Sequence, residues 1–282
     1  MKPRLLFPTD FSDTAHTALD FALKMIEKAG GELIFFHAYH LPALDNSMDA
    51  AMLERMEEDT RRQAYDRLLQ YAQETAERYQ QRTGSSLAYI VDVNPGYAIE
   101  TLPEAVYRHQ VQFVVMGTKG ASGLEQTLLG SNAADAIEKV TAPLLIVPEG
   151  GRYHAIKRIV YAVDCSTEDV DHMQPLLQFA RLFDGQIHFV HVHKEGDDKE
   201  LNAYRQHIEP LLEGYKVHFE VLKGNSTEDA ILQYGENKQA DVLALFHRDR
   251  HFLSRLFHRS LTKKMAFHSK IPLLAFRDWR RE

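Results

Sequence analysis

Cysteine is nearly missing from this 282-residue sequence, which contains only Cys165. A single cysteine cannot form a disulfide within the chain, and the first residues lack the apolar run of a signal peptide. No segment approaches the roughly 18 consecutive apolar residues that a membrane-spanning helix needs. These absences predict a protein of the reducing cytoplasm without a membrane span, in which Cys165 is most simply a small core residue.

An excess of positive charge is missing as well, because the formal net charge is −7. This balance argues against general nucleic-acid binding. The basic residues are nevertheless unevenly distributed, since residues 241–282 hold ten basic and four acidic side chains. Four common enzyme motifs are also absent, namely G-x-x-x-x-G-K-[ST], G-x-G-x-x-G, H-E-x-x-H and G-x-S-x-G. We therefore predict no catalytic residue.

What the sequence does contain is a duplication. Residues 5–12 and 159–166 match in register at an offset of 154. This offset aligns Asp10 with Asp164, Ser12 with Ser166, Gly31 with Gly185, and His37 with His191. Near the end of each copy, residues 142–145 match residues 271–274 at an offset of 129, so the second copy is 25 residues shorter. We predict two domains, 1–150 and 151–282.

Each copy alternates short apolar runs with segments of helical periodicity. In the first copy the predicted strands are 4–8, 33–39, 87–93, 113–116 and 144–147, and the predicted helices are 14–29, 49–82, 96–109 and 131–140. Strands separated by helices favour parallel pairing with right-handed crossovers. The predicted fold class is α/β, with two tandem doubly wound, Rossmann-like domains. Each would be a five-stranded parallel sheet of order 3-2-1-4-5 flanked by helices.

A glycine segment stands where the fourth strand of the first copy ends. It reads Gly117-Thr118-Lys119-Gly120, and Gly130-Ser131 follows nine residues later. Gly117 and Gly120 can adopt positive φ and let the main chain approach an anion. Gly130-Ser131 opens the next helix, whose free N–H groups and dipole favour phosphate. The alternative is a glycine-rich loop before an ordinary helix that Ser131 caps.

Asp10 ends the first strand, so it belongs at the same sheet edge as Gly117. Together with the pattern G-x2-G-x9-G-S and the closing run 142–148, Asp10 makes the chain resemble the ATP-binding type of universal stress protein. The resemblance covers both copies and implies a tandem member of that family. It also implies that the last strands of the two copies pair within the chain as a pseudo-dimer, which leaves further homodimerisation open.

The resemblance implies an adenine nucleotide in the first domain, ATP with or without Mg²⁺. Asp10 would hydrogen-bond the adenosine, and the main chain near Ala38 would recognise adenine. The phosphates would be admitted by three glycines and bound by Ser131 and the Asn132 amide, with help from Thr118 and Lys119. The three glycines are Gly117, Gly120 and Gly130. For Asp10 the alternative is a carboxylate that caps the helix beginning near Thr14.

The second copy departs from this pattern, because its loop 246–260 contains no glycine and Arg259 replaces Gly130. Arg248, Arg250 and Arg259 could bind a different anion. The alternative, which we favour, is a degenerate loop with a solvated charged face. A weaker hypothesis is a metal site formed by histidines. His191 and His193 share a strand face, and His247, His251 and His258 fall in the basic loop. No zinc-type spacing accompanies these histidines.

These features predict a regulator or sensor of the stress response that binds ATP in its first domain and acts on an unknown protein partner. Two alternatives stay open. One is a slow ATPase or nucleotide phosphatase using the same pocket. The other is a scaffold or carrier whose second domain binds a non-nucleotide anion or a metal.

Overall fold

Strands and helices alternate through most of the described residues, as the sequence predicts. The structure is a computed structural model and describes residues 3–41, 49–118, 131–151, 153, 155–165, 173–193, 198–247 and 271–277. Its strands are β1 (Arg4–Pro8), β2 (Glu32–Tyr39), β3 (Ala88–Pro95), β4 (Phe113–Gly117), β5 (Leu144–Val147), β6 (Arg158–Ala162), β7 (Gln186–His193), β8 (Val217–Lys223), β9 (Val242–His247) and β10 (Leu273–Arg277). Its helices are α1 (Asp13–Ala29), α2 (Ala50–Thr83), α3 (Ala98–Arg108), α4 (Ser131–Lys139), α5 (Gln174–Phe183), α6 (Lys199–Ile208) and α7 (Thr227–Asn237), with a short 3-10 helix over Glu209–Leu212.

The strands form one ten-stranded sheet of order β3-β2-β1-β4-β5-β10-β9-β6-β7-β8. Each half has the predicted order 3-2-1-4-5, with parallel neighbours. The two halves are joined by β5 and β10, which pair antiparallel with Leu145 opposite Leu274. The two predicted five-stranded sheets therefore form one continuous sheet, because the last strands of the two copies pair within the chain, as expected from the sequence.

Helix α1 shows why these residues fold as predicted. The Ser12 hydroxyl accepts a hydrogen bond from the Ala15 N–H (3.3 Å) and caps the helix, so Ser12 and not Asp10 is the cap near Thr14. The helix ends at Gly30, where φ is +64°. In the second copy the equivalent position is Asp184, which also adopts a left-handed conformation (φ +53°). An L-residue therefore occupies the position that glycine fills in the first copy.

The core continues from one half of the molecule into the other. One cluster of buried side chains includes Leu5 and Phe35 of the first half together with Tyr161 and Phe189 of the second. Across the boundary, the rings of Phe113 and Phe179 lie 6.0 Å apart, and α1 packs against α5. The halves thus share apolar packing as well as strand pairing. Among the described helices, none is long and apolar enough to cross a membrane.

The two copies differ most in the helix after their second strand. Helix α2 has 34 residues, and its buried residues begin only at Ala64, so residues 50–63 extend along the surface. Its counterpart α6 has ten residues before the 3-10 helix. This shortening accounts for most of the 25 residues by which the second copy is shorter, and it leaves a long helix beside the candidate site of the first domain alone.

Candidate functional site

A cleft opens in the first domain at the carboxyl ends of β1, β2 and β4, where the strand order reverses. It contains about 650 Å³ of atom-free space, including solvent at its mouth. Its lining residues are Pro8, Thr9, Asp10, Ala15, Phe36, His37, Ala38, Ala98, Ile99, Leu102, Met116, Gly117, Thr118 and Ala133. Doubly wound sheets bind ligands at this position. The structure therefore brings Asp10, Ala38, Gly117 and Thr118 together, as predicted.

Asp10 stands in the tight turn between β1 and α1. Its Oδ1 atom accepts a hydrogen bond from the Ser12 N–H (3.0 Å), and the Thr9 hydroxyl accepts one from the Phe11 N–H (3.0 Å). Between them Phe11 adopts φ +65°, a left-handed conformation that is costly for an aromatic residue. Asp10 lines the cleft, whereas the Phe11 ring packs against Tyr71 of α2. The turn thus presents a carboxylate to the cleft and anchors itself on α2.

His37 connects β2 to the same turn. Its Nδ1–H donates to the Thr9 carbonyl (2.7 Å), which fixes the tautomer of the neutral ring because a carbonyl can only accept. Burial lowers the pKa of His37 and outweighs the opposite effect of this bond. In the second copy the predicted counterpart makes the same contact, since His191 Nδ1–H donates to the Val163 carbonyl (3.1 Å). The pair of histidines therefore ties the turn after the first strand in both copies.

The main chain at Ala38 projects into the cleft. The Thr9 N–H donates to the Phe36 carbonyl (2.9 Å) on the side of β2 that faces β1. Farther along the strand, the Tyr39 carbonyl faces away from β1 and accepts from the Gly96 N–H (2.9 Å). Because strand backbone groups alternate sides, the N–H and C=O of Ala38 point to the β1 side, beyond the last residue of β1. The main chain thus places a donor and an acceptor at this part of the cleft.

Glycine is required at position 117 for a structural reason that the sequence does not reveal. Its φ lies outside the left-handed region, so the expectation of a positive φ at this glycine is wrong. The residue continues β4, paired with Val147 of β5. A Cβ at this position would lie 2.9 Å from the Thr14 carbonyl oxygen and 3.0 Å from its carbonyl carbon. Glycine is needed here because β4 meets the backbone of α1, and that close approach forms one wall of the cleft.

The remaining site predictions fall largely outside the described part of the chain. Lys119, Gly120 and Gly130 are not described, and of Ser131 and Asn132 only the backbone in the first turn of α4 is described. Thr118 is described, and its N–H donates to the Val147 carbonyl (3.0 Å). The second-domain candidates Arg248, Arg250 and Arg259 also lie outside the described residues.

The second copy repeats the backbone of the first turn and its aspartate, but Cys165 replaces Phe11 and Val163 replaces Thr9. Cys165, the counterpart of Phe11, also has a left-handed φ of +61°, and the preceding Asp164 is exposed. The rings of His191 and His193 stack with centroids 6.4 Å apart. Within the described ranges, no group of three or more His, Cys, Asp or Glu side chains is arranged to hold a metal ion. The histidine pair on β7 thus lacks the further ligands of a metal site in that part of the chain.

Several cleft residues were missed by the sequence reasoning. Ala98, Ile99 and Leu102 come from the first two turns of α3, and Thr9 precedes Asp10. The α3 residues could have been predicted from the sequence. A helix that follows β3 begins at the same sheet edge and turns its first apolar positions towards the crevice. Contacts of Phe11 with α2 have no such signal in the sequence.

This geometry defines a tandem doubly wound α/β protein with a cleft at the strand-order reversal of its first half. The model of the universal stress protein family matches residues 1–148 and again residues 155–277. The chain therefore belongs to the universal stress protein family and carries two of its domains in tandem.

Two curated relatives and one solved structure support this assignment. Universal stress protein Slr1230 of Synechocystis is 24% identical over 290 residues, covering 97% of this chain and 99% of the relative. Universal stress protein MJ0577 of Methanocaldococcus jannaschii is 25% identical over 156 residues, covering 52% of this chain and 95% of the relative. The crystal structure of a universal stress protein from Archaeoglobus fulgidus matches with a TM-score of 0.70 at 20% identity, covering 98% of this chain and 99% of that one. The structural match establishes a shared fold over both halves.

Proposed function

We propose that this protein binds ATP in the cleft of the first domain and acts as a regulator or sensor whose state depends on that nucleotide. The observation that carries the proposal is the cleft at the strand-order reversal, with the Asp10 carboxylate and the Ala38 main chain on its walls. We also propose that residues 1–150 and 151–282 form the two domains, with the nucleotide site in the first.

The chemistry of the lining divides the ligand into two parts. The described lining residues are mostly apolar and include one carboxylate, Asp10, one imidazole, His37, and no lysine or arginine. This lining suits an uncharged nucleoside, with the carboxylate accepting from ribose hydroxyls and the Ala38 main chain meeting the base. The phosphates then extend towards the start of α4 at Ser131, whose backbone N–H groups and dipole favour anions.

Roles for the phosphate-binding residues follow the family resemblance. Lys119, Gly120, Gly130, Ser131 and the Asn132 amide would surround the phosphates. Gly117 and Thr118 would form the wall of the cleft at the end of β4. Gly117 contributes by leaving room for the backbone of α1. Mg²⁺ would be held chiefly by the phosphates, as is usual for this ion in nucleotide sites.

The duplication supplies a matched control for testing this proposal. We expect isothermal titration of the full chain with ATP to show one site, and Asp10→Ala to weaken it by about tenfold or more, because a hydrogen bond to a charged group is lost. Asp164→Ala, the equivalent change in the second domain, should leave the affinity unchanged. Absence of ATP binding to the wild type, or equal losses in both variants, would refute the assignment. Phosphate release measured alongside decides between binding and hydrolysis.

A further inference from the structure

Phe11, which has a left-handed φ and directly follows Asp10, is held in place by side chains of α2. The guanidinium carbon of Arg67 lies 4.0 Å from the centroid of the Phe11 ring. The ring also meets Tyr71 edge-on at 5.5 Å and His37 at 4.7 Å. One aromatic side chain is thus enclosed by a cation and two rings, and two of these three partners belong to α2.

These contacts stabilise a backbone conformation that is unfavourable by itself. A left-handed conformation is unfavourable for an aromatic residue and persists only where its surroundings impose it. Here cation–π and aromatic contacts, together with the bond from the Phe11 N–H to the Thr9 hydroxyl, supply the opposing energy. The φ of Phe11 helps to set where the Ser12 N–H lies relative to Asp10, and because this N–H donates to Asp10 Oδ1, the left-handed turn holds the carboxylate in place.

The second copy shows which part of this arrangement is particular to the first. Cys165 repeats the left-handed φ, and His191 repeats the bond of His37, so the backbone turn is common to both domains. A cysteine has no ring on which a guanidinium could stack. The helix that corresponds to α2 is reduced to the ten residues of α6. The stack of Arg67, Phe11 and Tyr71 therefore accompanies the domain that has the glycine motif.

We infer that Phe11 is a positioning residue for Asp10, and that Arg67 and Tyr71 of α2 hold it there. The inference rests on the proposed function insofar as the positioned carboxylate contacts the nucleoside. Its consequence is that affinity for the nucleotide depends on α2, although Arg67 and Tyr71 are not among the residues that line the cleft. By thermodynamic reciprocity, nucleotide binding also stabilises the packing of α2 on the turn.

The first arm of the test uses the full chain without nucleotide. The Ser12 N–H donates to Asp10 Oδ1, so hydrogen exchange at this amide, followed by NMR, reports the position of the carboxylate. Arg67→Met keeps the unbranched stem of this exposed side chain and removes its guanidinium and charge. We expect it to speed Ser12 exchange by about two- to fivefold, the loss typical of one exposed cation–π contact. Arg205→Met is the matched control, because Arg205 lies 5.2 Å from the Phe219 ring in the second domain.

The second arm measures ATP affinity in a double-mutant cycle. Arg67→Met should weaken binding by about two- to fivefold in the wild-type background and have no effect once Asp10→Ala has removed the carboxylate. Unchanged Ser12 exchange in Arg67→Met, or an equal loss of affinity in both backgrounds, would overturn the inference. A wild type that binds no ATP refutes the proposed function instead, and Ser12 exchange then decides the positioning role alone.

Discussion

Replacing Gly117 with alanine tests the contact between β4 and α1. The added methyl group would meet the Thr14 carbonyl oxygen at 2.9 Å and the Thr14 Cβ atom at 3.2 Å. Real Cβ atoms essentially never approach backbone this closely, and a carbonyl within a helix cannot rotate away. The β4 end and the first turn of α1 must therefore separate, which opens a wall of the cleft.

The size of the effect follows from overpacking. Inserting a methyl group into packed backbone costs about 1–3 kcal/mol. At roughly 2 °C per kcal/mol for a chain of this size, the melting temperature should fall by about 2–6 °C. Gly185→Ala is the matched control, because its methyl group would meet the Ile159 Cδ1 atom at 3.2 Å, the mobile end of a side chain. Differential scanning calorimetry without nucleotide should therefore show a smaller loss for Gly185→Ala than for Gly117→Ala.

A melting temperature of Gly117→Ala equal to that of the wild type would show that the close approach is not as described. The result also bears on how binding data are interpreted. Because the methyl group destabilises the free protein, weaker ATP binding by a Gly117 variant would not demonstrate contact between phosphate and this glycine. Asp10→Ala is the more informative variant, since the Asp10 carboxylate lines the cleft and Ser12 provides the helix cap.

Two further predictions concern stability. Burial lowers the pKa of His188, whose Nδ1 lies 2.9 Å from the Tyr234 hydroxyl, so the unfolded chain binds a proton more readily than the folded one. The free energy of unfolding should fall as the pH drops below about 6.5 towards the lower pKa that His188 has in the folded protein. His188→Gln should make the melting temperature less dependent on pH between about pH 7 and pH 5. An unaltered pH dependence would contradict the assignment. Leu274 is fully buried in the core that both halves share, so Leu274→Ala should cost about 2–5 kcal/mol while calorimetry still shows one transition. Two separate transitions in the wild type would contradict a shared core.

Much of the fold could be predicted because its signals are local. The apolar run at 4–8, the capping pattern around Ser12 and the glycine at position 30 specify β1, α1 and the end of that helix. The offset between His37 and His191 even identified a contact that both domains make. These features depend on neighbours a few residues apart or on comparison of the two copies.

The site was less predictable because its geometry depends on distant residues. From the sequence, Gly117 was explained by the freedom of its backbone to adopt a positive φ. The structure explains it by the close approach of the Thr14 backbone, which lies more than a hundred residues earlier in the sequence. Phe11 meets Arg67 across 56 positions of sequence, and no periodic pattern marks such a pair. Asp10 could be placed at the cleft because the carboxyl ends of β1 and β4 meet at one sheet edge, whereas Ala38 was named only from the family resemblance.

The antiparallel pair of β5 and β10 makes the two domains permanent partners at any dilution, because the strands that pair belong to one chain. An assembly of two identical subunits must carry every substitution twice, once in each site. A covalent pair is free of that symmetry, so one cleft can keep its glycines while the equivalent loop acquires arginines. The joined sheet thus lets a single molecule carry two unlike domains in a fixed orientation.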